Sequence, residues 1–191
     1  MDARTRRMPE ARQEILAAAR ELLTARPSHE VTVSAIMAAT TLTRKSFYVY
    51  FRDRGQLLTE LVAPLRKRAD ASVERWRTSK DIVASGRSAL LDAARLYQQH
   101  GSILRALATA SEHDEEAAHV WRAINGQVVD VAATKIAAAA PDLDPRATAE
   151  ALVGMNVALF LDRLPGADDD EVTAVVEVLS RIWERTLYLR G

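Results

Sequence analysis

The stretch that decides the fold is Thr32 to Arg54, TVSAIMAATTLTRKSFYVYFRDR. It holds two short helical patterns separated only by Thr40, Thr41 and Leu42. The first runs from about Val33 to Ala39, with Thr32 placed to cap its first turn and Val31 placed to pack back on Ile36. The second is expected to start at Thr43, whose hydroxyl can accept an orphan backbone N–H, and it carries Phe47 on its core side. So short a turn makes the helices cross steeply. That is the helix-turn-helix arrangement, which sets the second helix in the major groove of DNA.

The polar residues of the second helix suit that surface. Arg44 and Lys45 occupy its first turn, and Arg can pair bidentately with guanine O6 and N7. Thr32, Thr43, Tyr48 and Tyr50 carry hydroxyls that suit phosphate oxygens, contacts that set register rather than sequence choice. Asp53 reads as the cap of a further helix. Arg54 then lies where backbone N–H groups and a cation together would hold a phosphate. Phe47 and Phe51 are assigned to core packing rather than base stacking.

In the run Thr43 to Phe51 (TRKSFYVYF), followed by Arg54 and Leu57-Leu58 and preceded by the Ala-rich helix Ile15 to Leu23, the chain resembles the tetracycline-repressor (TetR) family of bacterial regulators. The resemblance implies that this helix is the recognition helix and that Arg54 touches the phosphate backbone. Thr41 departs from the family, which commonly carries a glycine in the turn. A threonine there would be strained if the position needed a left-handed backbone.

Composition bounds the rest. The chain has 191 residues, 48% of them apolar and none of them Cys. Disulfides, Cys-ligated zinc and thiol catalysis therefore drop out. No stretch approaches the roughly 20 apolar residues that span a bilayer, and the start MDARTRRMPEAR lacks an apolar signal core, so a cytoplasmic location and no membrane partner are expected. The formal net charge is zero, yet residues 1–54 hold ten Lys or Arg against six Asp or Glu, and residues 55–191 hold sixteen against twenty. A basic head on an acidic body concentrates counterion release at one end. Arg4, Arg6 and Arg7, before Pro9, form either an arm along the DNA or a solvated terminus.

No strand is expected; the fold class is all-α, with about nine helices. They are placed at about Pro9–Ala25, the two of the opening stretch, Asp53–Trp76 with Pro64 in its interior, Ile82–His100 and Ile103–Ala110 parted by Gly101, Asp114–Ala139, Pro145–Leu164 and Asp168–Leu189. Pro64 removes a backbone bond and is expected to kink its helix. The expected domains are a helix-turn-helix DNA-binding domain, 1–54, and a ligand-binding and dimerisation domain, 55–191. Asp168, Asp169, Asp170 and Glu171 read as capping of the last helix, not as a metal site.

The last two helices carry wide apolar stripes, and one recognition helix reads only a half-site, so a homodimer through these helices is expected. The TetR resemblance implies the same pairing, as a four-helix bundle. A ligand site is expected among Tyr97, Leu104, Leu107, Trp121, Ile124, Val128, Met155, Asn156, Phe160 and Trp183. Asn156, inside the apolar run GMNVALF, must find a partner there. Through Trp121, Met155-Asn156 with Leu159-Phe160, and Ile182-Trp183 with Tyr188, the body resembles the ethionamide-resistance-regulator branch, which implies an apolar channel lined at the matching Asn and Trp positions.

Enzymatic readings have little to stand on. Glu112-His113-Asp114-Glu115-Glu116 with His119 lacks the spacing of a helical zinc site and reads as a helix start. There is no phosphate-binding glycine loop and no nucleophile elbow, and no cofactor is expected. The expected function is a regulator, a repressor in the first instance, that binds a palindromic double-stranded DNA operator as a homodimer and is released by a small apolar effector. The alternative is a helical small-molecule-binding or scaffold protein without DNA binding.

Overall fold

A computed structural model of the chain describes residues 3–188, with the side chains of residues 3–9, 82 and 188 left out. The described residues form eight α-helices and no strand: α1 Ala3–Ala25, α2 Val33–Ala38, α3 Arg44–Tyr50, α4 Arg54–Thr78, α5 Ile82–Ala110, α6 Glu115–Ala139, α7 Pro145–Arg163 and α8 Asp169–Tyr188. A 3₁₀ turn, Ser28–Glu30, joins α1 to α2. The count is one below the expected nine because α5 runs unbroken through Gly101. Glycine is there for closeness, not to stop the helix: a Cβ at residue 101 would stand 2.6 Å from Pro165 Cγ and 3.2 Å from its Cα. The first helix also starts earlier than Pro9, at Ala3. The side chains of Arg4, Arg6 and Arg7 lie outside the described residues.

Helix ends follow local chemistry. The Asp114 carboxylate takes the Ala117 N–H at 2.8 Å, Asp144 takes those of Arg146 and Ala147 at 3.0 and 2.9 Å, and Asp168 takes that of Glu171 at 2.8 Å. The acidic stretches before α6 and α8 thus start helices, as read from their order. Beyond α7 the chain turns at Gly166, whose φ of 75° is a conformation glycine adopts without penalty, and its N–H reaches the Gln98 carbonyl at 3.2 Å.

The chain forms two compact units, residues 1–64 with 102–120, and residues 65–101 with 121–191. The first part of α4, up to Pro64, belongs to the first unit. In that unit Ile15, Leu23, Ile36, Phe47, Phe51, Leu57 and Leu58 are buried together with Leu104 and Leu107. In the second, Val131, Ile136, Leu152, Phe160, Leu164 and Leu179 form the core.

Candidate functional site

Three helices build the first surface. α1 packs on α2 and α2 on α3. Thr32 caps α2, its hydroxyl accepting the Ala35 N–H at 3.1 Å. Phe47 is fully buried, with its ring 5.4 Å from that of Phe51. The Arg12 guanidinium lies 5.5 Å over the Phe51 ring and pairs with Glu60. The inner face of α3 is thereby fixed, and its outer face is left to solvent.

The turn between α2 and α3 answers the question of Thr41. No described residue other than glycine has positive φ, so the position needs no left-handed backbone. Instead, one carboxylate oxygen of Glu14 accepts both the Thr41 N–H, at 2.6 Å, and its hydroxyl, at 2.9 Å. Thr40 completes the turn, donating to the Met37 carbonyl at 2.9 Å and accepting the Leu42 N–H at 3.2 Å. Thr43 precedes α3 in extended conformation, but its hydroxyl makes no cap bond and lies 3.0 Å from Ser46 Oγ. Ser46, three residues on, competes for it.

On the outer face of α3, Arg44, Lys45 and Tyr48 are exposed and Tyr50 is half-buried. Val49 is 67% exposed, more than any other large apolar side chain described. It escaped sequence reading because it lies between two tyrosines in an apolar-looking run. An exposed aliphatic group on such a helix suits a thymine methyl. Asp53 caps α4 through Gln56 N–H at 2.8 Å, and although burial alone would raise its carboxyl, the Gln56 N–H and the Arg52 guanidinium hold it below the usual range. Arg52 is held above its ordinary value by hydrogen bonds to Asp53 and Glu116. Arg54 is half-buried, with burial lowering its pKa, and donates to the Ser28 carbonyl at 2.7 Å. Part of that side chain therefore holds the 3₁₀ turn.

The second unit contains a cavity of about 470 Å³. Of the residues expected at a ligand site, Tyr97, Ile124, Val128, Asn156, Phe160 and Trp183 line it. Leu104 and Leu107 are buried in the first unit, while Trp121 and Met155 are half-buried in the second and do not line the cavity. The Tyr97 and Phe160 rings lie 5.3 Å apart, and Trp183 meets Trp76 edge to face at 6.1 Å. Burial pushes the Tyr97 phenol up, so it is neutral at any ordinary pH. Sequence reading missed the α4 wall, where Arg68, Ser72, Arg75 and Trp76 share one helical face.

Asn156 is already committed. With its amide nitrogen toward the Leu152 carbonyl at 3.1 Å, its oxygen accepts Trp183 Nε1–H at 3.2 Å. Two other buried polar atoms on the wall, Trp76 Nε1 and Ser180 Oγ, have no hydrogen-bond partner among the described residues. Such atoms are costly unless something supplies the missing bond.

Comparison with known proteins gives the family. Residues 15–61 match the family described as bacterial regulatory proteins, tetR family, and residues 86–189 match the C-terminal domain of the transcriptional regulator EthR. The chain belongs to the TetR family, in its EthR branch. It is a DNA-binding transcriptional regulator. The HTH-type transcriptional regulator EthR of Mycolicibacterium smegmatis is 27% identical over 188 residues, covering 91% of this chain and 84% of that protein. Among solved structures, NalD of Pseudomonas aeruginosa, the secondary repressor of the MexAB-OprM multidrug efflux pump, superposes with a TM-score of 0.71 at 23% identity, covering 94% of this chain and 97% of that one. A transcriptional regulator of Saccharomonospora viridis in complex with choline gives 0.69 at 20% identity, covering 96% and 100%. At these identities the two structures share the TetR fold with this chain. No described helix is long and apolar enough to cross a membrane.

Proposed function

We propose that this TetR-family regulator is a homodimeric, ligand-responsive repressor that reads a palindromic operator with α3 and leaves it when an apolar small molecule fills the cavity of its second unit. The observation that carries this reading is the cavity itself, aromatic-walled, with two buried polar atoms, Trp76 Nε1 and Ser180 Oγ, lacking partners among the described residues. A space of this size within a well-packed helical unit is a cost unless occupied in some functional state.

Arg44, Lys45 and Tyr48 stand free of the core on α3 and suit base edges and phosphates. Thr32, Thr43, Tyr50 and Arg54 are proposed backbone contacts, Arg54 combining this with its bond to Ser28. A dimer is supported by α7 and α8, which leave Ala151, Gly154, Ala158, Ala174 and Val178 exposed. Val178 alone is 54% exposed.

Coupling is proposed to run through α4. This one helix bears the Asp53 cap just beyond α3 and, further along, Ser72 and Trp76 in the cavity wall. A ligand that binds one conformer of the dimer better than the other shifts the population, and DNA affinity follows by linkage. A gel shift with the DNA flanking the regulator's own gene tests the reading. Salt-sensitive binding to a palindrome by two chains is expected, and binding indifferent to sequence would contradict it.

A further inference from the structure

The cavity's opening has a charge pattern that its interior lacks. Every exposed residue on its wall belongs to α4 or α5, so the cavity opens along the seam between these helices. Asp92 fixes the register of that seam, accepting from Ser72 Oγ at 2.7 Å and from Arg75 at 2.6 Å. Arg68 lies one turn before Ser72 on α4 and Arg95 about one turn beyond Asp92 on α5, and both line the cavity. Both side chains are exposed, and neither has an ion pair among the described residues.

The other charges on the wall are placed differently. Arg75 is neutralised by Asp92, and Arg87 lies 3.9 Å from Glu177. Glu184, on α8, is half-buried in the wall beside Trp183. Arg68 and Arg95 are the two cations of the wall without an ion pair among the described residues. Inside, Tyr97 is held neutral, Asn156 is bound to Leu152 and Trp183, the open groups Trp76 Nε1 and Ser180 Oγ are neutral, and no buried residue of the wall is charged, so a charged head there would carry a desolvation cost that the rim arginines avoid.

Resting on the reading of the cavity as the effector site, we propose that its ligand is a single-chain anionic amphiphile, a long-chain carboxylate whose apolar tail lies between Tyr97, Phe160 and Trp183 and whose head is held by Arg68 and Arg95. Guanidinium pairs bind a planar carboxylate in bidentate fashion, and a tail of about ten carbons fits the volume.

The test is calorimetry on the full chain with three monomeric probes of equal tail, decanoate, methyl decanoate and decyltrimethylammonium. Decanoate is expected to bind at least about tenfold more tightly than the other two, the scale of one charge-assisted hydrogen bond. Arg68→Gln combined with Arg95→Gln is expected to abolish that preference while leaving methyl decanoate binding and thermal stability unchanged, since neither side chain has an ion pair among the described residues to lose. Arg68→Lys with Arg95→Lys is expected to restore part of it. Equal or tighter binding of the ester or the ammonium, or a preference that survives the Gln variants, overturns the assignment of the head and leaves the cavity reading in place. No binding by any of the three overturns the assignment of an alkyl carboxylate, while the cavity reading stands or falls by the effector response of operator binding.

Discussion

Glu14 and Thr41 hold the helix-turn-helix in shape: a single carboxylate oxygen on α1 accepts both the backbone N–H and the hydroxyl of Thr41, at 2.6 and 2.9 Å. The contact fixes a turn whose backbone is not left-handed and so calls for no glycine. Because no such backbone occurs here, Thr41→Gly should relieve no strain. It is expected to destabilise the protein by about 1 kcal/mol through the lost hydroxyl bond and the freer unfolded chain. Glu14→Ala should cost about as much, and the double variant less than the sum, in thermal or urea unfolding.

Gly101→Ala tests the reason α5 is unbroken. In an open helix this change stabilises by roughly 1 kcal/mol. Here the new methyl would press on the Pro165 ring at 2.6 Å, which cannot swing aside, and a loss of about 1–3 kcal/mol in urea unfolding is expected.

Asp53→Ala removes the cap of α4 and should cost about 1 kcal/mol at neutral pH. The sign with pH follows from the lowered pKa of Asp53. Protonation favours the unfolded chain, so the contribution is complete above the unfolded carboxylate value of about 3.9 and fades as pH falls through the lower folded value. Unfolding curves of wild type and variant should therefore converge in acid.

Lys45→Ala and Arg54→Ala separate two roles. Lys45 is exposed on α3, so its loss should leave the melting temperature unchanged and lower the salt slope of DNA binding by about 1. Arg54 is half-buried on the Ser28 carbonyl, so its loss should lower both the melting temperature and DNA affinity. An unchanged salt slope for Arg54→Ala would remove it from the phosphate contacts.

Much of this architecture is legible in the chain because it rests on local rules. Thr32, Asp53 and Asp168 announce helix starts through side chains that reach backbone N–H groups within three residues. Phe47 and Phe51 fall on the core face by helical spacing. What was not legible depends on distant partners. Gly101 reads as a break until Pro165 lies against it, and Thr43 reads as a cap until Ser46 takes its hydroxyl. Arg68, Trp76 and Ser180 join the cavity wall only through the packing of α4, α5 and α8, which no periodicity within one helix reveals.

The most direct test of ligand-responsive DNA binding is the dissociation constant for the operator, by fluorescence anisotropy, with and without a saturating compound that raises the melting temperature of the free protein. A fall in operator affinity of at least about tenfold is expected, with Trp183→Ala binding the operator normally and losing the response. Operator affinity unchanged by a compound shown to bind the cavity would contradict it.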